Sequence, residues 1–557
     1  MDLPALPRRH AIAAGVAGAV AVTALEPDPT SHADAPRLPA GHGSRRFRHG
    51  VASGDPSESS VVLWTRVTPT RGAMPGSGRG PRAVVQWEVA RDASFRRVVE
   101  RGRFVTGAGR DHTVKLTVSG LRPATWYFYR FTHQGHRSRV GRTRTTPAPD
   151  ALAPHLRFGF VSCSNVERGW FNAYRHLAAR DDLHAVIHLG DYLYEGATDD
   201  ATRIRTHQPR REIVSLADYR LRHAQYKADD DLQDLHAAYP MIATWDDHET
   251  ANDAWRGGAG GHDPATEGSW ARRRARGHRA YDEWMPARLQ GSVRLGDGDR
   301  LFRTIRFGRL ADLHLLDLRT QRDQQVASMT DAEAIDDPER TITGRQQMAW
   351  LKDALAGSRA RWQLVGNPVM IAPLTVGGLP APVAESVADL LGGVVSAGGV
   401  PLNTDAWDGY TADRRELFDH IVERQVDDVV FLTGDIHTGL AADLPLDKAA
   451  YPVSGTAGVE LVCASVTSDN FDEELGTPST VVEAALQASN PHYRYANLDD
   501  HGYCVLDVTA ARVQCDWWVV ASRADRTAGV RHDASWAVRA GTGRLSPVSA
   551  PVRPRAR

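Results

Sequence analysis

Short apolar runs alternate with amphipathic stretches between residues 155 and 522, and this alternation constrains the fold more than any other feature of the sequence. Strands that alternate with helices form α/β domains, in which helices cover the faces of the sheets. We therefore expect an α/β domain over 155–522. The segment 523–557 lacks periodicity and is rich in Arg, Ala, Ser and Pro, so we expect a loop-like tail there. The strand-like runs are 156–161, 185–189, 241–245, 310–318, 362–365 and 429–432, and the helix-like stretches are 171–180, 216–238, 344–355 and 414–424.

Residues 45–147 have a different pattern, in which short runs of alternating polarity are separated by turn residues. This spacing predicts a small antiparallel β sandwich. The stretch 121–127 resembles the tyrosine corner of immunoglobulin-like and fibronectin-like modules. Residues 145–150 contain two prolines and predict a boundary between the two domains.

The amino terminus has the pattern of an export signal. Arg8 and Arg9 precede an apolar run, rich in Ala and Gly, over 11–25, which is too short to span a bilayer. Paired arginines before such a run indicate the twin-arginine route, and an ordinary secretory signal with a chance arginine pair is the alternative. We therefore expect 1–35 to be a twin-arginine-type signal peptide, and the mature protein to be secreted or associated with the cell envelope.

Charge and cysteine content exclude two broad classes of protein. The formal net charge is −1 at pH 7, so there is no bulk positive field to hold nucleic acid, and we expect no stable nucleic-acid partner. Four cysteines in 557 residues are too few for a disulfide scaffold. Cys504 and Cys515 lie on neighbouring strand-like runs, and the sequence leaves open whether they pair.

Polar side chains with metal-binding chemistry follow five of the predicted strands. Ligands in open α/β sheets bind beyond the carboxyl ends of the strands, so we expect these side chains to meet in one cleft. Each has a plain structural alternative, such as a buried free cysteine, a Gly-Asp turn or an exposed helix amino terminus. Five such strand ends together favour a functional site. The residues are Cys163; Asp191 and Tyr194; Asp246, Asp247 and His248, with Asn252 nearby; Asn367; and Asp435 and His437.

The order of these motifs resembles the calcineurin-like metallophosphoesterase superfamily, and within it the PhoD-like alkaline phosphatases. Asp247 stands where the superfamily usually has Asn, Asp435 where it has His, and Cys163 where it has the first Asp. The segments 47–56, 61–67 and 344–351 also resemble that family, and the resemblance extends from 47 to about 520. It implies a metallophosphoesterase β sandwich flanked by helices, preceded by the small all-β domain.

The resemblance also implies one Fe³⁺ ion and one or two Ca²⁺ ions. A mixture of thiolate, carboxylate, phenolate and imidazole suits a transition ion, whereas an all-oxygen set suits Ca²⁺. Asp246 and Asn252 are candidates for a further calcium site or for contacts behind the ligands. The expected iron ligands are Cys163, Asp191, Tyr194 and His437, and the expected calcium ligands are Asp191, Asp247, Asn367 and Asp435.

The expected activity is alkaline hydrolysis of phosphate mono- and diesters, with attack by a metal-bound hydroxide and with His248 as the acid for the leaving oxygen. The expected partners are small phosphate esters or phospholipids, and the twin-arginine export machinery. Phospholipase-D-like hydrolysis of lipid headgroups is one alternative, with the loops 255–261 and 374–401 setting the width of the substrate. A secreted binding protein with structural metals, or a redox role for Cys163, are alternatives of another class.

Overall fold

The computed structural model describes residues 36–39, 41, 43–197, 201–289, 300–327, 331–376, 400–401, 403–475 and 479–553. The expected signal peptide and most of the loop 374–401 lie outside these ranges. Within them, no helix combines the length and the apolar character needed to cross a bilayer.

The amino-terminal region is built from strands, as its alternating pattern predicts. The strands are β1 (Val51–Gly54), β2 (Ser60–Arg66), β3 (Ala83–Ala90), β4 (Val98–Thr106), β5 (Thr113–Ser119), β6 (Trp126–His133), β7 (His136–Arg137) and β8 (Gly141–Arg144).

The strands that follow belong mainly to the α/β part of the chain. They are β9 (Leu156–Val161), β10 (Ala185–His188), β11 (Pro240–Ala243), β12 (Ala254–Trp255), β13 (Gly258–Ala259), β14 (Arg303–Phe307), β15 (Ala311–Leu315), β16 (Trp362–Asn367), β17 (Thr375–Val376), β18 (Val400–Pro401), β19 (Val429–Thr433), β20 (Gly439–Pro445), β21 (Thr456–Val462), β22 (Tyr493–Asn497), β23 (Gly502–Val508), β24 (Arg512–Val520), β25 (Val530–Arg539) and β26 (Leu545–Pro547).

The helices alternate with these strands. They are α1 (Asn172–Ala179), α2 (Leu216–Lys227), α3 (Asp230–Ala238), α4 (Pro264–Glu267), α5 (Trp270–Trp284), α6 (Ala332–Ile335), α7 (Arg345–Gly357), α8 (Thr411–Glu423), α9 (Phe471–Leu475) and α10 (Thr480–Ser489). The single helix predicted over 216–238 is wrong. The Asp229 carboxylate accepts hydrogen bonds from the backbone amides of Asp231 and Leu232, and this cap starts a second helix.

Two large sheets pack face to face. One has ten strands in the order β26-β25-β24-β23-β9-β10-β11-β1-β2-β5, and the other has seven in the order β14-β15-β16-β19-β21-β20-β22. Their shared core includes Phe158 and Ile187 from the first sheet, and Leu313 and Leu364 from the second. Helices α1, α2, α3 and α5 cover the outer face of the first sheet, and α7, α8 and α10 cover that of the second. The predicted α/β sandwich flanked by helices is therefore confirmed.

An all-β amino-terminal region is also confirmed, but its strands are divided between two sheets. β1 runs parallel to β11, and β2 and β5 continue the ten-stranded sheet outward from it. β3, β4, β6, β7 and β8 form a separate sheet packed against these strands. Pairing with β1 satisfies backbone groups of β11 that an open sheet edge would expose. The predicted tyrosine corner is present, because the Arg122 amide donates to Tyr127 Oη at 2.8 Å.

The prediction of a loop-like carboxyl-terminal segment is wrong for β25 and β26. β25 pairs with β24 over its length, and β26 pairs with β25, so both extend the ten-stranded sheet. The alternation that marks a half-buried strand is weak in β25, because only part of it is buried. All four cysteines are free and buried, and Cys504 lies opposite Trp517 rather than Cys515.

Candidate active site

The candidate site lies where the two sheets present the carboxyl ends of their parallel strands. β9, β10 and β11 are parallel in one sheet, and β15, β16, β19 and β21 are parallel in the other. A bridge between Ser162 and Ser465 joins the two sheets directly at this edge. The strand ends that carry the predicted residues are therefore neighbours in space.

Backbone geometry at the strand ends is unusual. Cys163, Asp191, Asp435 and His437 all have positive φ, between 52° and 66°. This left-handed conformation costs a residue other than glycine on the order of 1–3 kcal/mol, and such strain gathers at functional sites. Each of these turns bends the chain sharply directly after its strand. The side chains that follow therefore point toward the region where the strand ends of the two sheets meet.

Glycines precede two of these aspartates because the strand ends approach closely. A Cβ atom on Gly190 would lie 2.5 Å from Asp246 Cβ, and one on Gly434 would lie 2.6 Å from Ser162 Cβ. A side chain at either position would force neighbouring strand ends apart. The Gly-Asp pairs seen in the sequence therefore have a packing cause.

One group of potential ligand atoms comprises Cys163, Asp191 and His437, whose donor atoms lie within 4.8 Å of one another. The hydroxyl of Tyr194 lies 2.9 Å from Asp191 Oδ2 and 3.1 Å from His437 Nε2. Burial lowers the pKa of His437 to about 4, so its imidazole is neutral, as metal binding requires. The four predicted iron ligands therefore meet at one place.

Burial raises the pKa of the Cys163 thiol well above its ordinary value, and the charge of Asp191 adds to that effect. A protonated, buried thiol is a poor nucleophile. A cation beside the sulfur would remove that proton. The environment of Cys163 therefore favours a metal-ligand role over the redox role.

A second group comprises Asp191, Asp247 and His248, again with donor atoms within 4.8 Å. His248 Nδ1 lies 2.6 Å from Glu195 Oε2. Burial alone would lower the pKa of His248, but the carboxylates of Glu195, Asp247 and Asp191 raise it well above its ordinary value. The imidazole is therefore held in its protonated form beside Asp191.

Asp191 belongs to both groups, and its environment suits a cation. Its Oδ1 atom is buried and has no hydrogen-bond partner among the described residues. Burial and the charge of Asp247 raise the pKa of Asp191 well above its ordinary value, against the opposing charge of His248. A buried carboxylate oxygen without a partner is costly, and a bound cation removes the cost. The residues therefore fit a pair of cations that share Asp191.

Arg319 neutralises part of the negative charge at this edge. Its guanidinium forms a two-pronged contact with Asp246 and lies 3.2 Å from Asp435 Oδ1 and 3.7 Å from Asp247 Oδ1. It also contacts Asp405, which Arg322 holds from the other side at 2.6 Å. Arg319 already pairs with both oxygens of Asp246. Asp246 is therefore better suited to support the neighbouring metal-ligand residues than to bind a further calcium ion.

The structure places the remaining candidates less centrally. Asn367 ends β16 and is buried, and its amide oxygen accepts from Trp407 Nε1 at 3.0 Å while its nitrogen donates to Val369 O. These two bonds fix the orientation of the amide and leave one lone pair of the oxygen for a cation. Asn252 is exposed, and its backbone amide contacts the site through Glu195 Oε1 at 2.6 Å.

Residues that the sequence did not single out support the predicted ones. The Glu249 carboxylate accepts from the backbone amides of Asp191, Tyr192 and Asp246, and so holds two strand ends together. Glu195 lies within a motif that the sequence revealed, but its partner His248 is 53 residues away. Arg319 follows β15, just as the predicted site residues follow their own strands. A search for polar residues after β15 would therefore have found it.

The two-sheet sandwich with outer helices is shared with a purple acid phosphatase. The structure of purple acid phosphatase PPD1 from yellow lupin superposes with a TM-score of 0.50 at 11% identity, covering 88% of this chain and 73% of that one. At that identity the likeness concerns the fold alone.

More similar relatives identify the family. A family model for PhoD-like phosphatase matches residues 158–517, and one for the PhoD-like phosphatase N-terminal domain matches 31–147. Alkaline phosphatase D of Bacillus subtilis (strain 168) is 36% identical over 484 residues, or 85% of this chain and 77% of that protein. A solved structure of PhoD superposes with a TM-score of 0.80 at 33% identity, covering 92% of this chain and 94% of that one. The chain belongs to the PhoD-like phosphatase family and is a phosphoric ester hydrolase.

Proposed function

We propose that this protein is an exported, metal-dependent alkaline phosphatase that hydrolyses phosphate mono- and diesters. The observation that carries the proposal is the position of Asp191, which belongs to two different groups of ligand atoms and has a buried oxygen without a partner. A carboxylate shared in this way suits two dissimilar cations a few ångströms apart, as in two-metal hydrolases.

The two donor sets suggest the identity of the cations. Thiol, carboxylate, phenol and imidazole groups would hold Fe³⁺ through Cys163, Asp191, Tyr194 and His437. Oxygen atoms would hold one or two Ca²⁺ ions through Asp191, Asp247, Asn367 and Asp435. When bound, these ions supply Lewis acidity to the phosphoryl oxygens.

His248 is suited to give a proton to the leaving oxygen. Glu195 holds its Nδ1 atom, so Nε2 is the nitrogen that can face a substrate. The side chain keeps 20% of its area exposed, so it borders the solvent from which a substrate enters. Tyr194 packs over the imidazole, with ring centroids 4.2 Å apart, and restricts the ring further.

A substrate panel with metal analysis tests the activity. Wild-type protein should hydrolyse 4-nitrophenyl phosphate and bis(4-nitrophenyl) phosphate, lose activity with a calcium chelator, and regain it on addition of Ca²⁺. Asp191→Asn should lose more than about 99% of the activity, because both cation sites use it. Full activity after exhaustive chelation would contradict the proposal, and faster turnover of phosphatidylcholine vesicles would favour the lipid-headgroup alternative.

We propose export by the twin-arginine route on the basis of Arg8, Arg9 and the apolar run after them. Residues 1–45 fused to a folded fluorescent reporter should carry it across the membrane. Arg8→Lys with Arg9→Lys should keep the reporter inside. Export of the double variant at the wild-type level would instead indicate an ordinary secretory signal.

A further inference from the structure

The segment after β21 contacts two of the predicted iron ligands from behind. Ser468 Oγ donates to Cys163 O at 3.0 Å, and the Ser468 amide lies 3.3 Å from the same oxygen. His437 Nδ1 lies 2.6 Å from the main-chain carbonyl oxygen of Asp469. Consecutive residues of one segment therefore set the positions of Cys163 and His437 together.

The carbonyl contact fixes the tautomer of His437. A carbonyl oxygen only accepts hydrogen bonds, so Nδ1 must carry the proton. In the neutral ring Nε2 then carries the lone pair, and it lies 3.1 Å from Tyr194 Oη within the predicted iron site. The position of the Asp469 carbonyl therefore determines which nitrogen can bind a metal.

Two arginines from distant parts of the chain hold Asp469 in place. Arg168 Nε lies 2.7 Å from Asp469 Oδ2, and Arg523 Nη1 lies 2.6 Å from Asp469 Oδ1. Arg523 Nη1 also donates to the Thr467 carbonyl oxygen at 2.7 Å. The three charged side chains keep between 13% and 22% of their area exposed, so water screens these contacts less than it would on an open surface.

We propose that Arg168 and Arg523 are positioning residues for the metal centre, because they fix Asp469 and thereby hold His437 with Nε2 as the free base. The inference rests on the proposed function, since it assigns the pair to the role of His437 as a metal ligand. Arg168 and Arg523 follow β9 and β24 of the ten-stranded sheet, and Asp469 follows β21 of the seven-stranded sheet, so the three residues link both sheets beside the proposed iron site.

Iron affinity, measured by competition with a chelator, tests the proposal. Loss of a partner behind a ligand typically costs 10- to 100-fold in metal affinity, so we expect that loss in Arg168→Gln/Arg523→Gln. Asp469→Asn keeps the backbone carbonyl but removes the charge, and it should weaken binding to the same degree. Adding Asp469→Asn to the double arginine variant should cause no further loss, because that variant has already lost both ion pairs of Asp469.

Arg526→Gln is the matched control, since Arg526 lies three residues from Arg523 but is exposed and pairs with the exposed Asp230 at 3.1 Å. Its iron affinity should stay within about twofold of wild type, as for a surface pair. Iron affinity in the double arginine variant equal to that of the control would overturn the proposed positioning role alone. A wild-type protein that binds no iron would overturn the proposed metal centre itself.

A measurement on metal-free protein separates positioning from metal chemistry. The amides of Thr467 and Ser468 lie 3.3 Å from Cys163 O, so both should be protected from hydrogen exchange. We expect their exchange to be at least about tenfold faster in Arg168→Gln/Arg523→Gln than in wild type and in Arg526→Gln. Unchanged exchange would show that Asp469 keeps its position without the arginines, and would overturn the proposal.

Discussion

Glu195 Oε2 lies 2.6 Å from His248 Nδ1, and the other oxygen of the same carboxylate accepts from the Asn252 amide at 2.6 Å. Both carboxylate oxygens are therefore used, one to orient the imidazole and one to fix the turn that follows it. Burial alone would raise the pKa of Glu195, but the charge of His248 and the hydrogen bonds from His248 and the Asn252 amide lower it. A charged acid–imidazole pair thus borders the cations that we propose.

Glu195→Gln should slow catalysis most for substrates with poor leaving groups. The amide can still hold the ring but no longer favours its protonated form, so proton donation weakens. We expect a loss of roughly 10²-fold with phenyl phosphate, within the range for general acid catalysis, and a smaller loss with 4-nitrophenyl phosphate. Steady-state rates across a series of aryl phosphates measure the difference.

The pair His262 and Glu267, which are 2.8 Å apart outside the site, supplies the control for that comparison. Glu267→Gln alters a similar histidine–glutamate contact and should leave the ratio between the two substrates unchanged. Equal slowing of all substrates by Glu195→Gln would show that Glu195 acts on binding or stability rather than on proton transfer.

Glu249→Ala should destabilise the protein strongly, because it removes the acceptor for three buried backbone amides. Each buried donor left without a partner costs about 1–3 kcal/mol, so the summed loss should exceed about 3 kcal/mol. The midpoint of denaturant unfolding in metal-free protein measures this loss. A shift as small as that of an exposed substitution, such as Glu339→Ala, would mean that water or rearrangement satisfies these amides.

The sequence could predict which side chains lie together at the strand ends because these residues follow a local rule. Cys163, Asp191 and Asp247 come just after parallel strands of the ten-stranded sheet, and His437 comes just after β19 of the seven-stranded sheet. Parallel strands of one sheet end at one edge, and the two sheets meet along that edge. The rule needs no knowledge of which strands are neighbours. It fails for groups defined by contacts across the chain, such as Asp469, which acts through its backbone carbonyl and so leaves no side-chain signal.

The fold could likewise be predicted only where a local pattern in the sequence was sufficient. Hydrophobic periodicity identified the strands whose burial is uniform, including β9 and β19. It missed β25, which forms a strand by pairing with β24. It also did not show that β1 would pair with β11. Partner choice between strands is a property of the whole chain, which single segments do not encode.

Calcium should raise the unfolding temperature of the metal-free protein. Four aspartates at the site, Asp246, Asp247, Asp405 and Asp435, share Arg319 and Arg322 as counter-charges, and the charge of His248 acts on Asp191. Binding at one hundred times the dissociation constant adds about 2.7 kcal/mol of stability. Thermal unfolding against Ca²⁺ concentration, with Mg²⁺ at matched ionic strength as control, measures the effect.

Asp191→Asn should have opposite effects with and without calcium. It removes a buried charge that lacks a partner at Oδ1, so the metal-free variant should unfold at a higher temperature than metal-free wild type. It also removes the shared ligand, so calcium should raise its unfolding temperature much less. A full calcium response in this variant would place the cation elsewhere.

Thr433→Val should weaken calcium binding through Asn367. Thr433 Oγ1 accepts from Asn367 Nδ2 at 3.2 Å and donates to Glu460 Oε1 at 2.7 Å, and Glu460 also accepts from the Ile371 amide at 2.9 Å. Valine has nearly the same shape but breaks both side-chain bonds, so Asn367 loses a support beside its strand end. We expect calcium affinity, measured by titration calorimetry, to fall about tenfold.

Thr65→Val separates this effect from a general loss of stability. Thr65 is equally buried and donates to Gly50 O at 2.7 Å, in the amino-terminal part of the ten-stranded sheet. Both variants should lose about 1 kcal/mol of stability, since each removes buried hydrogen bonding, but Thr65→Val should bind calcium like wild type. If the two variants bind calcium equally, Thr433 is not needed to position Asn367, and the bonds to Trp407 and Val369 hold the amide without it.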